Sequence, residues 1–443
     1  MKTNVAPRNH AIVLGGSLGG LLAAKVLSQH FKQVTIIEKD TVHRQPESRK
    51  GQPQTQHLHG LLPAGLRILN QYFSGIEADM SANGAKVMDF AETMNWFSYG
   101  GYKKRFKIGF NAVIATRPLL EHLVRERVLA LPNILLQDNT TVKKLLASAD
   151  HQEIVGVEIL PKDEAQSTSL LADLVVDVTG RGSRTPQWLK DLGYEQPEVS
   201  EVKVNVGYTT RMYKRNPSDS ISQDWLLYTP KAPQETRFGG MFPVEDNKWV
   251  LSVGGWHGDH PSTDEKGFLE FVKALPHPEF YRIASQAEPL SEVIPFKFPL
   301  SLRRHYEKLT RFPKGFLVMG DAVTSFNPTY GQGMSSAALQ AEAMDKVFQQ
   351  NQSPDALWKA YFKAIAPIVD TIWQLATGED FRFVETVGVR PPGINLVNKY
   401  VAKIHKASLK DEIVCKAFLH VMGLLRPPTT LFHPRIFWRV MTA

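Results

Sequence analysis

The first hundred and thirty residues follow a β–turn–α–β pattern and then turn helical. Residues 11–14 are a short apolar run, residues 21–31 carry apolar side chains at helical spacing, and residues 33–38 are rich in β-branched side chains. The polar stretch 39–56 cannot bury a core face and is predicted to be a loop, whereas residues 62–73 and 117–130 return to the helical pattern. The chain is therefore predicted to begin as an α/β fold.

The pattern changes between about residues 190 and 300. Short alternating segments separated by Pro, Gly and Asn predict an antiparallel sheet there. A strand at 315–319 and a helix from about residue 331 follow, and residues 355–443 are mostly helical in pattern. We expect an α/β Rossmann-like nucleotide-binding domain with an inserted antiparallel β-sheet substrate domain and a helical C-terminal segment. The predicted limits are 1–80, 110–190 and 300–350 for the first, 81–109 and 191–299 for the second, and 351–443 for the third.

Composition narrows the class of protein. The 443 residues are 43% hydrophobic and 22% charged, as in ordinary globular proteins. A single cysteine, Cys415, excludes an internal disulfide framework and a cysteine-rich metal site. The N-terminal sequence has no signal-peptide pattern, and no apolar run approaches the roughly 20 residues that span a bilayer. These features predict a cytoplasmic protein.

The net charge of +8 is concentrated near the end of the sequence. Residues 381–443 contain ten Lys or Arg and only three acids, which are Glu385, Asp411 and Glu412. The segment is either a solvated basic surface or a peripheral contact with an anionic membrane or an acidic partner. The basic residues stand singly among apolar ones and form no nucleic-acid motif, so nucleic acid is not expected as a partner.

A glycine-rich turn joins the first strand to the first helix. Gly15, Ser17 and Gly20 occupy the three positions of the fingerprint G-x-G-x-x-G, with Ser17 in place of the second glycine. Glu38 lies 18 residues after Gly20 at the end of the second strand, where an acid binds a ribose hydroxyl. The predicted contacts with a dinucleotide are Gly15, Gly16, Ser17, Leu18, Gly19, Gly20, Glu38 and Lys39.

A second constellation distinguishes FAD from NAD. Residues 314–337 begin with a strand that leads into Gly320 and Asp321. The carboxylate of Asp321 is placed to accept from a ribityl hydroxyl. A proline and two glycines then open a helix whose N–H groups can approach a flavin ring. The predicted flavin contacts here are Gly320, Asp321, Pro328, Gly331, Gln332, Gly333 and Met334.

This G-D-A…P…G-Q-G-M pattern resembles the second FAD motif of the para-hydroxybenzoate hydroxylase-type, or group A, FAD-dependent monooxygenases. Residues 174–193 occupy the place of that family's middle motif, with Thr179 where the family usually has Asp. Arg117 matches the arginine that lies along the ADP part of the flavin in the family, while Arg125 and Arg127 are expected to face solvent. The resemblance implies a GR2-type FAD-binding domain.

The loop "SRKGQPQTQHLHGL" resembles a segment found in the subset of this family that acts on polyketides and terpenoids. That subset includes polyether epoxidases and, more distantly, squalene epoxidase. The resemblance implies that Arg49, Gln56 and His57 border the flavin, with His57, Pro328 and Gly331 as candidates for its edge. His57 and His59 have no further ligand at metal-binding spacing, so no metal is expected.

The resemblance implies a monooxygenase that inserts one oxygen atom from O2 into an apolar terpenoid- or polyketide-type molecule, by epoxidation or hydroxylation. In this family the oxygen is transferred from a flavin C4a-hydroperoxide, and NAD(P)H or a separate reductase supplies the electrons. No acid or base stands out, so no catalytic residue is assigned. The aromatic side chains predicted to wall a substrate pocket in the inserted sheet are Trp225, Phe238, Phe242 and Trp256.

Three alternatives remain open on the same fold. Flavin-dependent halogenases carry a W-x-W-x-I-P segment, and none of the eight tryptophans here forms W-x-W. Isoprenoid reductases and cyclases are a second alternative, and a non-catalytic flavin-binding protein is the third. The sequence does not predict an oligomeric state.

Overall fold

The computed structural model describes residues 8–218, 221–350 and 353–443. The expectation that the N-terminus carries no signal peptide rests partly on the first seven residues, which lie outside the described residues.

Strands and helices alternate at first, then strands dominate, and helices close the chain. The strands are β1 (Arg8–Leu14), β2 (Phe31–Ile37), β3 (Gly60–Leu61), β4 (Lys86–Asp89), β5 (Met94–Ser98), β6 (Gly101–Tyr102), β7 (Asn111–Ile114), β8 (Ile134–Gln137), β9 (Thr140–Ala147), β10 (Ile154–Pro161), β11 (Thr168–Leu171), β12 (Leu174–Asp177), β13 (Val199–Lys214), β14 (Trp225–Thr229), β15 (Arg237–Val244), β16 (Lys248–Gly255), β17 (Ile294–Arg304), β18 (Phe316–Val318), β19 (Thr324–Ser325) and β20 (Val387–Gly388). The helices are α1 (Leu18–Leu27), α2 (Pro63–Tyr72), α3 (Ile76–Ala82), α4 (Arg117–Leu129), α5 (Thr185–Asp191), α6 (Glu265–Lys273), α7 (Pro278–Ala284), α8 (Gly333–Gln349), α9 (Pro354–Asp380), α10 (Ile394–Ala407), α11 (Glu412–Met422) and α12 (Pro434–Thr442).

A five-stranded parallel sheet lies at the centre of the first domain, in the order β18–β12–β1–β2–β8. The C-terminal halves of its strands β1 and β2, residues 11–14 and 34–37, are buried and mostly apolar because helices cover a parallel sheet on both faces. Leu14 pairs with Asp177, and Asp177 pairs with Val318. The loops that leave these three strands therefore meet at one edge of the sheet, where ligands of open α/β sheets bind.

The second large sheet has nine strands in the order β19–β17–β13–β16–β15–β14–β5–β6, with β20 beside β13. Most neighbours are antiparallel, as predicted, but β14 and β5 run parallel. The exception arises because β5 comes from residues 94–98, far earlier in the chain, and needs no hairpin to reach β14. The structure thus confirms the mixed α/β class with an inserted β-sheet. The exact domain limits stay a prediction.

Helix α9 connects the two sheets. Its first half packs in the core of the parallel-sheet domain through Tyr361, Phe362 and Ile365. Its second half reaches the residues that follow β19, where Ile372 packs with Phe326. Helices α10, α11 and α12 then pack against each other at the far side of the nine-stranded sheet. Among the described residues, no helix is both long and apolar enough to cross a membrane.

Candidate flavin-binding site

The glycine turn after β1 requires glycine at two positions. Gly15 has φ +104°, and a Cβ there would lie 2.7 Å from the carbonyl oxygen of Val178. A Cβ on Gly20 would lie 1.8 Å from the carbonyl oxygen of Gly15, which no side chain can occupy. Ser17 has an extended backbone at the start of α1, so the missing glycine is tolerated there, and its Oγ accepts a hydrogen bond from Gln52 Nε2.

Glu38 lies beside this turn, as its spacing predicts, and its carboxylate is part of a buried ion-pair network. Its Oε2 accepts from the backbone N–H of Gly16 at 2.8 Å and lies 3.0 Å from the Arg49 guanidinium. Arg49 also pairs with Glu121 on α4, which Arg125 contacts at 3.1 Å. The guanidinium of Arg49 thus bridges the carboxylates of Glu38 and Glu121. Of these two carboxylates, Arg117 and Arg125 contact that of Glu121 alone. Arg49 lies at the glycine turn, where its Nη2 is 3.4 Å from the carbonyl oxygen of Gly16, and its predicted position beside the flavin stays a prediction.

Glu121 of this network and the neighbouring Gln52 were not predicted from the sequence, and one expectation was wrong. Gln52 and Glu121 carry no motif of their own, although Glu121 follows Arg117 by four residues on a predicted helix, which is a pairing distance. Arg125 was expected to face solvent but is buried, because its guanidinium neutralises Glu121. Arg127 is partly exposed and pairs with Asp79.

Arg117 begins α4 and is the charge that links the two predicted FAD motifs. Its guanidinium lies near both Asp321 and His59: burial lowers the pKa of His59 to about 3 and the charge of Arg117 adds to that shift, whereas at Asp321 the charge of Arg117 opposes the effect of burial. Desolvation is the larger influence on Asp321 and raises the pKa of its carboxyl above the usual range. Yet the residue is exposed. A side chain that is crowded by protein and still accessible lines a cleft, which is the setting predicted for a cofactor-binding carboxylate.

The segment 327–334 leaves open space on one side. Gly331 has φ +67°, and Cβ atoms built on Gly331 and Gly333 meet nothing within 4 Å. Pro328 is exposed, Met334 is buried, and both polar atoms of the buried Gln332 amide have no partner among the described residues. An open surface of glycines with an unpaired amide at the start of α8 fits a planar ligand with polar edges. These residues fit FAD.

The other residues predicted around the cofactor divide by exposure. Lys39 and Gln56 are exposed, whereas Leu18, Gly16 and Gly19 are buried in the packing of α1. The placement of each residue against the flavin stays a prediction.

His57 is a buried residue of the sheet surface. Its Nδ1 lies 2.8 Å from Thr210 Oγ1, and its ring contacts Tyr208 and Phe296 edge-on. Burial lowers the pKa of His57 to about 4, so the imidazole is neutral at physiological pH. Among the residues that the structure describes, no cluster of His, Cys, Asp or Glu suits a metal ion.

The middle motif is organised by a carboxylate that the sequence comparison overlooked. Asp177, at the end of β12, is fully buried and accepts from Thr179 Oγ1 at 2.6 Å, from Ser183 Oγ at 2.5 Å and from Thr185. Thr179 stands where the family usually has Asp, and here its hydroxyl points to an Asp two residues earlier. Asp177 stands at the end of a hydrophobic run, so the sequence pattern identified it only as the last residue of a strand.

The four aromatic residues predicted for a substrate pocket fall into two groups. Phe238 and Trp256 are in ring contact at 5.0 Å, and Phe238 adjoins Tyr208, which adjoins Phe296 at 5.1 Å. We call Tyr208, Phe238, Trp256 and Phe296 the aromatic wall. Gly254 lies between Tyr208 and Phe238 in the register, and its missing side chain lets the two rings meet.

Trp225 and Phe242 form the second group. Their rings are 5.9 Å apart, and Trp225 stacks on Phe90. They belong to the core between the sheet and the helices α10–α12, not to the aromatic wall.

Asp380, the last residue of α9, connects the aromatic wall to residues 327–334, which we call the glycine segment. Its Oδ1 accepts from Trp256 Nε1 at 3.0 Å, from Asn327 Nδ2 at 2.9 Å and from the Tyr330 hydroxyl at 2.7 Å. Its Oδ2 is buried with no partner among the described residues. Burial raises the pKa of Asp380 to about 6, although the three donors act in the opposite direction. The carboxyl can therefore change its protonation near neutral pH.

Glu379 precedes Asp380 and joins a second polar cluster. Burial and the neighbouring Asp380 raise the pKa of Glu379 to about 7, while Lys103 opposes the shift. Arg382 Nη1 donates to Glu379 at 2.8 Å, and Lys103 Nζ donates to Ser408 Oγ at 2.7 Å. The sequence analysis assigned no acid or base. The only signal was an acidic pair, Glu379–Asp380, at the end of a long predicted helix.

The comparisons with known proteins show the family and the fold. The family described as FAD binding domain matches residues 8–371. Protein Rv3254 of Mycobacterium tuberculosis is 30% identical over 439 residues, which cover 95% of this chain and 90% of that protein. The 3-demethoxyubiquinol 3-hydroxylase of Escherichia coli is 24% identical over 366 residues, covering 80% and 83%. The solved flavin-dependent brominase Bmp2 covers 98% of both chains with a TM-score of 0.69 at 14% identity, a likeness of fold alone.

The family match spans most of the chain and includes both glycine-rich segments, Gly15–Gly20 and Gly331–Gly333. The fold brings these segments to one edge of the parallel sheet, beside an accessible carboxylate and an open surface. The chain therefore belongs to the FAD binding domain family, and the protein is an FAD-dependent monooxygenase, an oxidoreductase.

Proposed function

We propose that the protein transfers one oxygen atom from O2 to an apolar small molecule of the terpenoid or polyketide type. The observation that carries this proposal is the aromatic wall, which adjoins the glycine segment. Tyr330, between Pro328 and Gly331, packs against the same apolar cluster as Phe238 and Phe296. Phe238, Phe296 and Tyr330 are only partly buried, so they leave apolar surface uncovered next to the predicted flavin position.

An apolar substrate fits this surface for a physical reason. When an apolar ligand covers half-exposed aromatic side chains, apolar surface is removed from water. This burial favours binding by about 25 cal/mol for each Å² buried. A polar substrate would need donors or acceptors in their place. His57, whose ring contacts Tyr208 and Phe296 of the wall, is neutral and already bonded to Thr210, so it adds no charge to the surface.

The residues divide the work as follows. Gly15–Gly20, Glu38, Arg49 and Arg117 would hold the ADP part of FAD, and Asp321 with residues 328–334 would hold the ribityl chain and the ring. FAD, when bound, supplies the reaction of O2 and the electrophilic oxygen, with NAD(P)H or a separate reductase as the source of electrons. The chain's own contribution is to orient the substrate and to exclude water from it.

Between the two reactions, the acidic pair favours hydroxylation of an electron-rich ring over epoxidation. Hydroxylation of a phenol-type ring is helped by a base, whereas epoxidation of an alkene needs none. Asp380 holds the Tyr330 hydroxyl and changes protonation near neutral pH. The name of the Escherichia coli relative, a quinol hydroxylase, supports the same choice.

Halogenation is the main competing reaction, since the brominase Bmp2 shares the fold. The W-x-W segment of the halogenases is absent from this sequence. A halogenated product formed in the presence of bromide or chloride would overturn the proposal in favour of that reaction.

The experiment is oxygen-isotope labelling of the FAD-loaded protein. The protein is supplied with NAD(P)H, ¹⁸O2 and a panel of prenylated phenols, polyenes and their polar counterparts, and products are identified by mass spectrometry. The proposal predicts one ¹⁸O atom in an apolar product, with phenols preferred over isolated alkenes. Reduction of O2 only to hydrogen peroxide with every apolar compound, or turnover of the polar counterparts alone, would contradict it.

A further inference from the structure

Four large apolar side chains are exposed together near the end of the described chain. Trp438 is 68% exposed, Phe432 48%, Met441 44% and Phe437 40%. We call these four residues the aromatic patch. Single exposed apolar residues are ordinary, but a contiguous group of this size marks a surface that meets something apolar.

Contacts show that the patch is one continuous surface. The buried Tyr400 of α10 stacks on Phe432 at 5.0 Å and on Phe437 at 5.6 Å, and its hydroxyl donates to the Leu431 carbonyl at 2.7 Å. Phe437 adjoins Trp438 on α12. The patch therefore rests on an ordered support, and its rings are held in place by the packing of α10 against α12.

A row of lysines borders the patch. Lys399, Lys403, Lys406 and Lys410 are exposed at helical spacing along one face of α10 and just beyond its end. Lys403 Nζ lies 3.6 Å from Met441 Sδ, which joins the lysine row to the patch directly. Neither α10 nor α12 contains an acidic residue. Among nearby acids, Asp411 is already paired with Arg439 at 2.7 Å.

We propose that the aromatic patch and the lysine row together dock the protein on an anionic lipid surface. Bulky aromatic side chains with a polar or wet rim suit the boundary between headgroups and acyl chains. Lysines at that depth extend along their apolar stems to reach lipid phosphates, and each contributes through the negative surface potential. This inference is independent of the reaction proposed above.

Charge argues against a second copy of this chain as the occupant. A symmetric dimer through this face would bring two lysine rows together with no acid on either helix to neutralise them. The exposed parts of the four side chains also amount to roughly 400 Å², about half of what each partner of a stable interface buries. An anionic lipid surface avoids both difficulties. Its negative charge neutralises the lysine row, and shallow insertion needs only a small apolar area.

The test is co-sedimentation of the FAD-loaded protein with vesicles of pure phosphatidylcholine and with vesicles that also contain phosphatidylglycerol. The proposal predicts binding to the anionic vesicles only, weakened in high salt. The double variant Phe437→Ser, Trp438→Ser should weaken binding at least about tenfold, and Lys399→Glu with Lys403→Glu should weaken it about fivefold or more for each lysine. The matched control is Leu171→Ser, an exposed apolar residue on strand β11, which should leave binding unchanged.

Other outcomes would overturn the proposal. Equal binding of the wild-type protein and both double variants to anionic vesicles would show that another surface is responsible. Absence of vesicle binding, with a concentration-dependent dimer that the double aromatic variant abolishes, would assign the patch to self-association. Thermal unfolding of every variant is recorded as a control for folding. The substituted positions are exposed, so their replacement should leave the folded state intact.

Discussion

The hydroxyl of Tyr330 donates a hydrogen bond to Asp380 Oδ1 at 2.7 Å across a separation of fifty residues. The same oxygen accepts from Trp256 and Asn327. One buried carboxylate therefore fixes the end of α9, the glycine segment and the aromatic wall relative to each other. Asp380 thus helps to set the distance between the apolar surface and the predicted flavin position, together with the packing of Tyr330 against the same apolar cluster.

Asp380→Asn should flatten the dependence of stability on pH. Burial raises the pKa of Asp380 to about 6, from 3.8 for the ordinary group, so the folded protein binds this proton more tightly than the unfolded chain. Its contribution is present below pH about 4 and is lost as pH rises through about 6, by at most about 3 kcal/mol. The asparagine carbonyl can keep the three donors but cannot titrate.

The check is the free energy of unfolding in urea at several pH values between 4 and 8. The variant should lose less stability across this range than the wild type. Glu379, with a pKa raised to about 7 by burial and by the charge of Asp380, adds a decline of the same sign, and the variant keeps the part of it that burial causes. Identical slopes for the two proteins would mean that Asp380 is ionised throughout.

A Cβ at Gly20 should abolish flavin binding, whereas Ser17→Gly should not. The turn has no room at Gly20, because the Gly15 carbonyl oxygen occupies the position of a side chain. Ser17→Gly removes only the hydrogen bond from Gln52, worth about 1 kcal/mol. The matched control is Gly182→Ala, since a Cβ there meets nothing within 4 Å. The ratio of flavin to protein absorbance after desalting measures retention.

Gly333→Leu should lower the affinity for FAD without lowering the stability of the cofactor-free protein. Nothing lies within 4 Å of a Cβ on Gly333, and the residue begins α8, so leucine should leave the cofactor-free protein as stable as the wild type. FAD affinity should fall at least about tenfold, because the side chain enters the space assigned to the flavin. Titration of the cofactor-free protein with FAD, beside thermal unfolding without it, gives both values. Unchanged affinity would place the flavin elsewhere.

Arg49→Met should destabilise the protein far more than Arg67→Met. Arg49 is buried and pairs with Glu38 and Glu121, so its loss leaves two buried carboxylates short of a partner at about 3–5 kcal/mol. Arg67 pairs with Glu342 but is about half exposed, and its loss should cost less than about 1 kcal/mol. Urea unfolding of the cofactor-free variants measures the two costs, and similar values would contradict the assigned burial.

The sequence predicted the nucleotide-type elements because their signals are local. A strand, a glycine turn, a helix and an acid at fixed spacing identify the turn at Gly15–Gly20 without any knowledge of distant residues. The same holds for Gly320-Asp321 and the helix that opens near Gly333. The alternation of short strands likewise predicted the inserted sheet, although not the parallel pairing of β14 with β5.

The remaining features depend on tertiary contacts. The donors to Asp380 are Trp256, Asn327 and Tyr330, which lie far away in sequence, so no motif marks this residue. The donors to Asp177 lie within the stretch 174–193 that resembles the family's middle motif, but the resemblance drew attention to Thr179 and not to Asp177.

Arg125 appeared to be an exposed helix charge because nothing local shows that its partner Glu121 is buried, where it also pairs with Arg49 from a separate loop. Trp225 and Trp256 were both predicted to wall the pocket because they are aromatic residues of the inserted sheet. The fold places them in different hydrophobic clusters.

The identity and amount of the chromophore released from the purified, denatured protein test the central claim most directly. The arrangement of Gly15–Gly20, Arg117, Asp321 and Gly331–Gly333 predicts FAD, close to one molecule for each chain after reconstitution. Release of FMN or NAD, or a protein that retains no FAD after reconstitution while still folded, would contradict it.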